Sequence, residues 1–169
     1  PALFAYQQRY SVGDRELSRR GLMANVRIMP FGPGKNGQGG IHPHEQTFSS
    51  PKEDRLKLMR ATRAQLSPIF GLYKDTQQQV GVLIDQVIEG AKPSRCGTTS
   101  DGVMHELWAI EDRPRIDAIS QAILEADAFI ADGHHRYNTA MNYKAELGEL
   151  PADHPAQNCL FVLVSMQDP

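Results

Sequence analysis

Two extended apolar segments open the chain, Ala2 to Val12 and Leu22 to Met29, with the charged stretch GDRELSRRG between them as a polar turn. Neighbours of this kind read as an antiparallel pair. An early hairpin rules out a purely parallel sheet. The rest of the chain is mixed. Strand-like runs appear at PIFGLYKD, VMHELWAIED, AFIA and Leu160 to Val164, and they alternate with helical patterns. The expected class is therefore α+β, a mixed and largely antiparallel sheet with helices packed on it.

The helices announce themselves by caps and periodicity. Ser50 can cap a helix whose first position suits Pro51, with Glu53 completing a capping box. That helix is predicted to run to about Leu66, stopped by Ser67 and Pro68. Val80, Leu83, Ile84, Val87 and Ile88 mark a second, ended by Gly90. Asp112 and Pro114 open a third, with Ile116, Ile119 and Ile123 inward. A fourth carries Tyr137, Ala140, Met141 and Leu147 on one face. KPSRCGTTSDG reads as loop. FGPGKNGQGG lacks the order of a phosphate loop and reads as a flexible loop or a mobile lid.

Bulk properties narrow the function classes. With 169 residues, 40% of them hydrophobic, the chain can bury a core as one α+β domain over 1–169. It opens directly into a strand and stops just after the apolar run CLFVLVSM, so it reads as a fragment of a longer protein. A formal charge of -2 offers no basic field for nucleic acid, and no nucleic-acid partner is expected. Cys96 and Cys159 suggest neither a disulfide framework nor a thiolate metal site. No signal peptide and no membrane-spanning run is evident, so no membrane partner and a cytoplasmic location are expected.

The chemistry concentrates at two places. In ADGHHRYNTAMNY the strand Ala128 to Ala131 gives way to a helix through Asp132, Gly133, His134, His135 and Arg136. A strand-to-helix turn aims backbone N–H groups at whatever lies before the helix, and Arg136 with a histidine adds positive charge. That is the local chemistry of an anion site, although Asp-Gly is also a common turn dipeptide. Upstream, IHPHEQT gathers His42, His44, Glu45 and Thr47. Two histidines and a carboxylate invite a metal reading, and Glu45 equally suits a general base or a carboxylate on a metal.

On a wheel of the 51 to 66 helix, Leu58, Met59, Thr62 and Leu66 form the inward arc. Arg55 falls in its middle, with Lys52 and Arg63 flanking. An inward arginine needs an anion, either a protein carboxylate or a ligand phosphate. His105 and His154 are expected to take no catalytic part. Trp108 and Tyr73 are expected in the core.

The block HPHEQTFSSPKEDRLKLMRATRAQLSPIFGLY together with ADGHHRYNTAMNY resembles the bacterial and archaeal proteins grouped as domain of unknown function 1015, from Arg19 to the last strand. The DGHHRY segment is also similar to the phosphate-binding turn of the ParB and sulfiredoxin superfamily, which includes free serine kinases with a closely similar string. That similarity implies nucleotide-site roles for Asp132, His134, His135 and Arg136. The sulfiredoxin cysteine is absent, position 134 being histidine, so sulfinic acid reduction is not expected. The basic reading helix of DNA-partitioning proteins is absent too.

Together these imply a nucleotide-dependent kinase of a small hydroxylated metabolite. A nucleoside di- or triphosphate would lie on Asp132, Gly133, His134, His135, Arg136, Lys52 and Arg63. Glu45, His44 and Arg55 would be catalytic, and Glu45 would hold Mg²⁺. A metal-dependent hydrolase built on the His/Glu cluster and a nucleotide-sensing module without turnover are the alternatives.

Overall fold

The computed structural model describes residues 2–44 and 50–168, the first four of the second segment by their backbone alone. The chain runs β1 (Leu3–Val12), β2 (Arg15–Arg27), β3 (Ile41–His42), α1 (Ser50–Thr62), β4 (Ile69–Tyr73), α2 (Gln79–Gly90), β5 (Arg95–Thr98), β6 (Met104–Ile110), α3 (Arg113–Ile123), β7 (Ala128–Asp132), α4 (His134–Glu146), a 3-10 turn (Pro155–Gln157) and β8 (Asn158–Ser165). The strands form one eight-stranded sheet in the order β3-β7-β4-β8-β2-β1-β6-β5. Among the described residues, only β3 with β7 and β4 with β8 pair parallel. The α+β expectation, with a mixed and largely antiparallel sheet, describes the molecule.

Register divides the sheet into two unlike faces. One cross-strand row holds Trp108, Ala5, Leu22, Leu163, Gly71 and Ile130, all buried. These meet Val80, Ile84 and Val87 of α2, Ile116 and Ile119 of α3, and Tyr137 and Ala140 of α4 in a single core. The adjacent row, Phe4, Met23, Val162 and Phe70, faces the other way. None of its members joins that core, and Phe4, Met23 and Phe70 are only half-buried. Arg19 lies on this second face, its guanidinium 5.7 Å from the Tyr10 ring centre and 5.8 Å from that of Phe70. Among the described residues, the sheet is packed with helices on one side only.

The polar turn expected over GDRELSRRG is instead a two-residue turn, since Val12 already pairs with Arg15. Gly13, at φ +60°, takes the first central position, where a tight hairpin needs a positive φ. The strand could continue through charged residues because both faces of the hairpin tip are in water, so no apolar alternation is required there. The same reason hides β5, whose four residues are all exposed at the sheet edge.

FGPGKNGQGG is not a free lid. The Gly39 N–H donates to the Leu124 carbonyl at 2.9 Å and the Gly40 N–H to Asp127 Oδ1 at 2.7 Å. A Cβ on Gly39 would stand 1.9 Å from the Ala126 carbonyl oxygen, so this close backbone approach requires glycine.

The caps of α2 and α3 are carboxylates. Asp75 accepts from the N–H groups of Gln79 and Gly81, both at 2.9 Å, and Asp112 accepts from Arg115 N at 3.2 Å as its position before Pro114 predicted. The α1 helix departs from expectation. It ends at Thr62, and Arg63 turns to φ +51°. Leu58 is 50% and Leu66 65% exposed, Arg55 and Thr62 are exposed, and Leu56 and Met59 are half-buried. The helix rests on α4 rather than on the sheet, so a narrow apolar stripe suffices. Its proposed capping side chains at Ser50 and Glu53 lie outside what is described. Trp108 and Tyr73 are core residues, 3% and 2% exposed. No helix among the described residues is long and apolar enough to cross a membrane.

Candidate functional site

The strand-to-helix turn forms where predicted. β7 pairs with β4 as far as Asp132, opposite Phe70, and Gly133 at φ +103° redirects the chain into α4. Gly133, the residue before α4, has no side chain to cap the helix. The partial positive charge of a helix start therefore meets no capping oxygen from its own turn, the condition under which anions bind.

The flanking side chains are arranged differently from the sequence expectation. Arg136 donates from one guanidinium nitrogen to the Asp132 carboxylate and from another to the Pro68 carbonyl oxygen, so it closes back on its own turn. Asp132 is 73% exposed at the side chain, which leaves the pair open to exchange with solvent or a ligand. Arg55, exposed on α1, has no ion-pair or hydrogen-bond partner among the described residues. The inward arginine that would demand a buried anion is thus not inward.

His134 is 2% exposed and its Nε2 accepts from the His44 backbone N–H at 3.3 Å. His44 Nδ1 lies 2.6 Å from the Ile130 carbonyl oxygen, which can only accept, so this nitrogen carries the proton. The ring nitrogen left to act as a base is therefore Nε2. The two histidine rings meet edge to face at 4.5 Å. HPHEQT and DGHHRY, far apart in sequence, are therefore joined through His44. His42 turns elsewhere, with Nε2 3.3 Å from Asp127 Oδ1 and its ring stacked on Phe129. The Asp127 carboxyl is held below its usual range, chiefly by the Gly40 N–H, with burial opposing and His42 adding a smaller lowering. His135 Nδ1 is enclosed with no hydrogen-bond partner among the described residues. Among the described residues, no three His, Cys, Asp or Glu side chains come together as a metal-ligand group. Glu45 and the Lys52 side chain lie outside the described residues.

Two cavities adjoin along α1 and α4, sharing Met59, Ala64 and Gln65 in their walls. The smaller, of about 120 Å³, brings Arg55 and Arg136 to one space, with Ser67, Thr139 and Cys159. Cys159 is buried there, and burial pushes its thiol up to about 12 despite a backbone hydrogen bond from Leu160 and the charge of Arg136. The larger, of about 850 Å³, is lined by Arg60, Arg63, Tyr143, Glu146 and His154 among others. Arg63 thus faces the second space. Gln65 fixes the wall between them, donating to the Asn158 carbonyl at 2.8 Å and accepting from the Leu160 N–H. Sequence reasoning missed Thr139 and Tyr143. Their signal was present, since positions 136, 139, 140 and 143 share one helical face. His154, expected to take no part, caps the 3-10 turn through Ala156 N and also lines the larger cavity.

Fold and site together define an α+β protein with a glycine-hinged strand-to-helix turn beside an arginine-lined cleft. The chain belongs to the family described as protein of unknown function (DUF1015), whose model matches residues 1–169. No curated protein and no solved structure gives a significant match.

Proposed function

We propose that this protein binds a nucleotide and transfers its terminal phosphoryl group to a hydroxyl of a small metabolite. The observation that carries the reading is the shared cavity of Arg55 and Arg136 against the first turns of α4, whose capping position is the glycine Gly133. Helix N–H groups and two guanidinium forks are the donor set that phosphate oxygens accept from. The likeness of DGHHRY to the phosphate turn of the ParB and sulfiredoxin superfamily points to the same chemistry.

In this reading the phosphates lie at Gly133, His134 and His135, and Arg136 exchanges Asp132 for a phosphate oxygen. Mg²⁺ needs only one or two protein carboxylates when phosphates supply the remaining ligands. Asp132 fits that need by its exposure, and Glu45 remains the second candidate. The acceptor oxygen attacks the terminal phosphorus as the bond to the leaving phosphate breaks, and the hydroxyl proton passes to His44 Nε2 or to Glu45.

Arg55 makes the cleanest test, because it is exposed and has no partner among the described residues. Calorimetric titration with Mg²⁺ and ATP or ADP is expected to show saturable binding, weakened about tenfold or more in Arg55→Ala, the scale of a charge-assisted hydrogen bond, with an unchanged melting temperature. Absence of saturable binding, or equal affinity in the variant, overturns the reading.

A further inference from the structure

The larger cavity is a second, separate feature, and its chemistry does not depend on nucleotide binding at the turn. Its volume of about 850 Å³ falls within the range of small-molecule pockets. Its walls combine apolar surface from Ile28, Met59 and Leu160 with polar groups such as Asn25 and Asn158.

Charge within it is unbalanced. Arg60 donates to both oxygens of Glu146, at 2.9 and 2.5 Å, and this bidentate pair holds the Glu146 carboxyl below its usual range. Arg63, on the same wall, has no ion pair or hydrogen bond from its side chain to any described residue. Its backbone is also unusual. It comes directly after the last residue of α1 at φ +51°, in the left-handed region where glycine or asparagine normally ends a helix. Folding alone would favour glycine there, yet the position carries a long cation that lines the cavity.

We propose that this cavity binds a small organic anion, a phosphate or carboxylate head on an apolar body, with Arg63 receiving the head group. The guanidinium fork matches either anion, and the apolar wall takes the remainder of the molecule.

The backbone supplies the test, because Arg63→Gly removes the cation at a site that prefers glycine. Amide chemical shifts and calorimetry would track titration of the protein with phenyl phosphate, with benzoate, and with benzyl alcohol as the uncharged analogue. At least one of the two anions is expected to shift the amides of Asn25, Ala156 and Leu160 saturably, and the stronger identifies the head group. Arg63→Gly is expected to weaken that anion tenfold or more while the melting temperature holds or rises. Arg63→Asn, also at ease in the left-handed region, replaces it should the glycine variant fail to fold. No saturable shift from either anion, benzyl alcohol binding as tightly as they do, or undiminished affinity in the variant overturns the proposal.

Discussion

Gly133 shows how much a single residue can hold in place. At φ +103° it occupies backbone space that side chains rarely adopt, and a Cβ there would stand 3.1 Å from the Arg136 guanidinium. Gly133→Ala is expected to cost about 1–3 kcal/mol, read by urea denaturation, and to dislodge Arg136 from Asp132. A variant as stable as the parent would mean that the turn relaxes without glycine. The turn itself was legible in the sequence, because an apolar run, Asp-Gly and a helical pattern succeed one another around DGHHRY. The partners of its arginine were only half legible. Asp132 lies one helical turn away, but Pro68 is distant in sequence, and its carbonyl oxygen has no signature. Arg55 was misjudged for a related reason. A helical wheel assumes that the apolar arc meets the core, whereas α1 rests on another helix, leaves Leu58 half exposed and stops before Leu66.

At the scale of elements, the two faces of the sheet carry different shares of the stability. Leu163 is 4% exposed and lies in the core between sheet and helices, whereas Leu72, on the opposite face of neighbouring β4, is only half-buried. Leu163→Ala is expected to cost roughly 2–5 kcal/mol, and Leu72→Ala about 1 kcal/mol or less, since the transfer term shrinks with exposure and little cavity remains. Equal losses on denaturation would show that the second face is covered in solution. The strands that pack against helices were readable as apolar runs. The hairpin tip and β5 were not, because their existence depends on a neighbour's hydrogen-bond ladder and leaves no burial pattern in their own residues.

Across the whole molecule, the core contains three weak acids whose charged forms it rejects. Burial raises the Tyr73 hydroxyl, pushes that of Tyr137 up to about 12, and does the same for the Cys159 thiol. A raised folded value means that the native state keeps protons the unfolded chain has lost, so stability falls as pH rises. The fall begins above about pH 9 with Cys159, at up to about 1.4 kcal/mol per pH unit, and the tyrosines add to it above about pH 10. Denaturation midpoints between pH 7 and 11 check this, and Cys159→Ala is expected to delay the onset by removing the first of the three groups. A midpoint constant to pH 11 refutes it. The order of the strands has a different consequence, one of timing. β8 lies between β4 and β2, yet it is the last of the eight strands to be synthesised. Until it emerges from the ribosome, the β2-β1-β6-β5 group and the β3-β7-β4 group have no strand between them, and each exposes an unpaired edge where the other should join. These eight strands therefore wait on β8 to become one sheet, and any pause in translation before residue 158 prolongs the interval in which two open edges are available to the wrong partner.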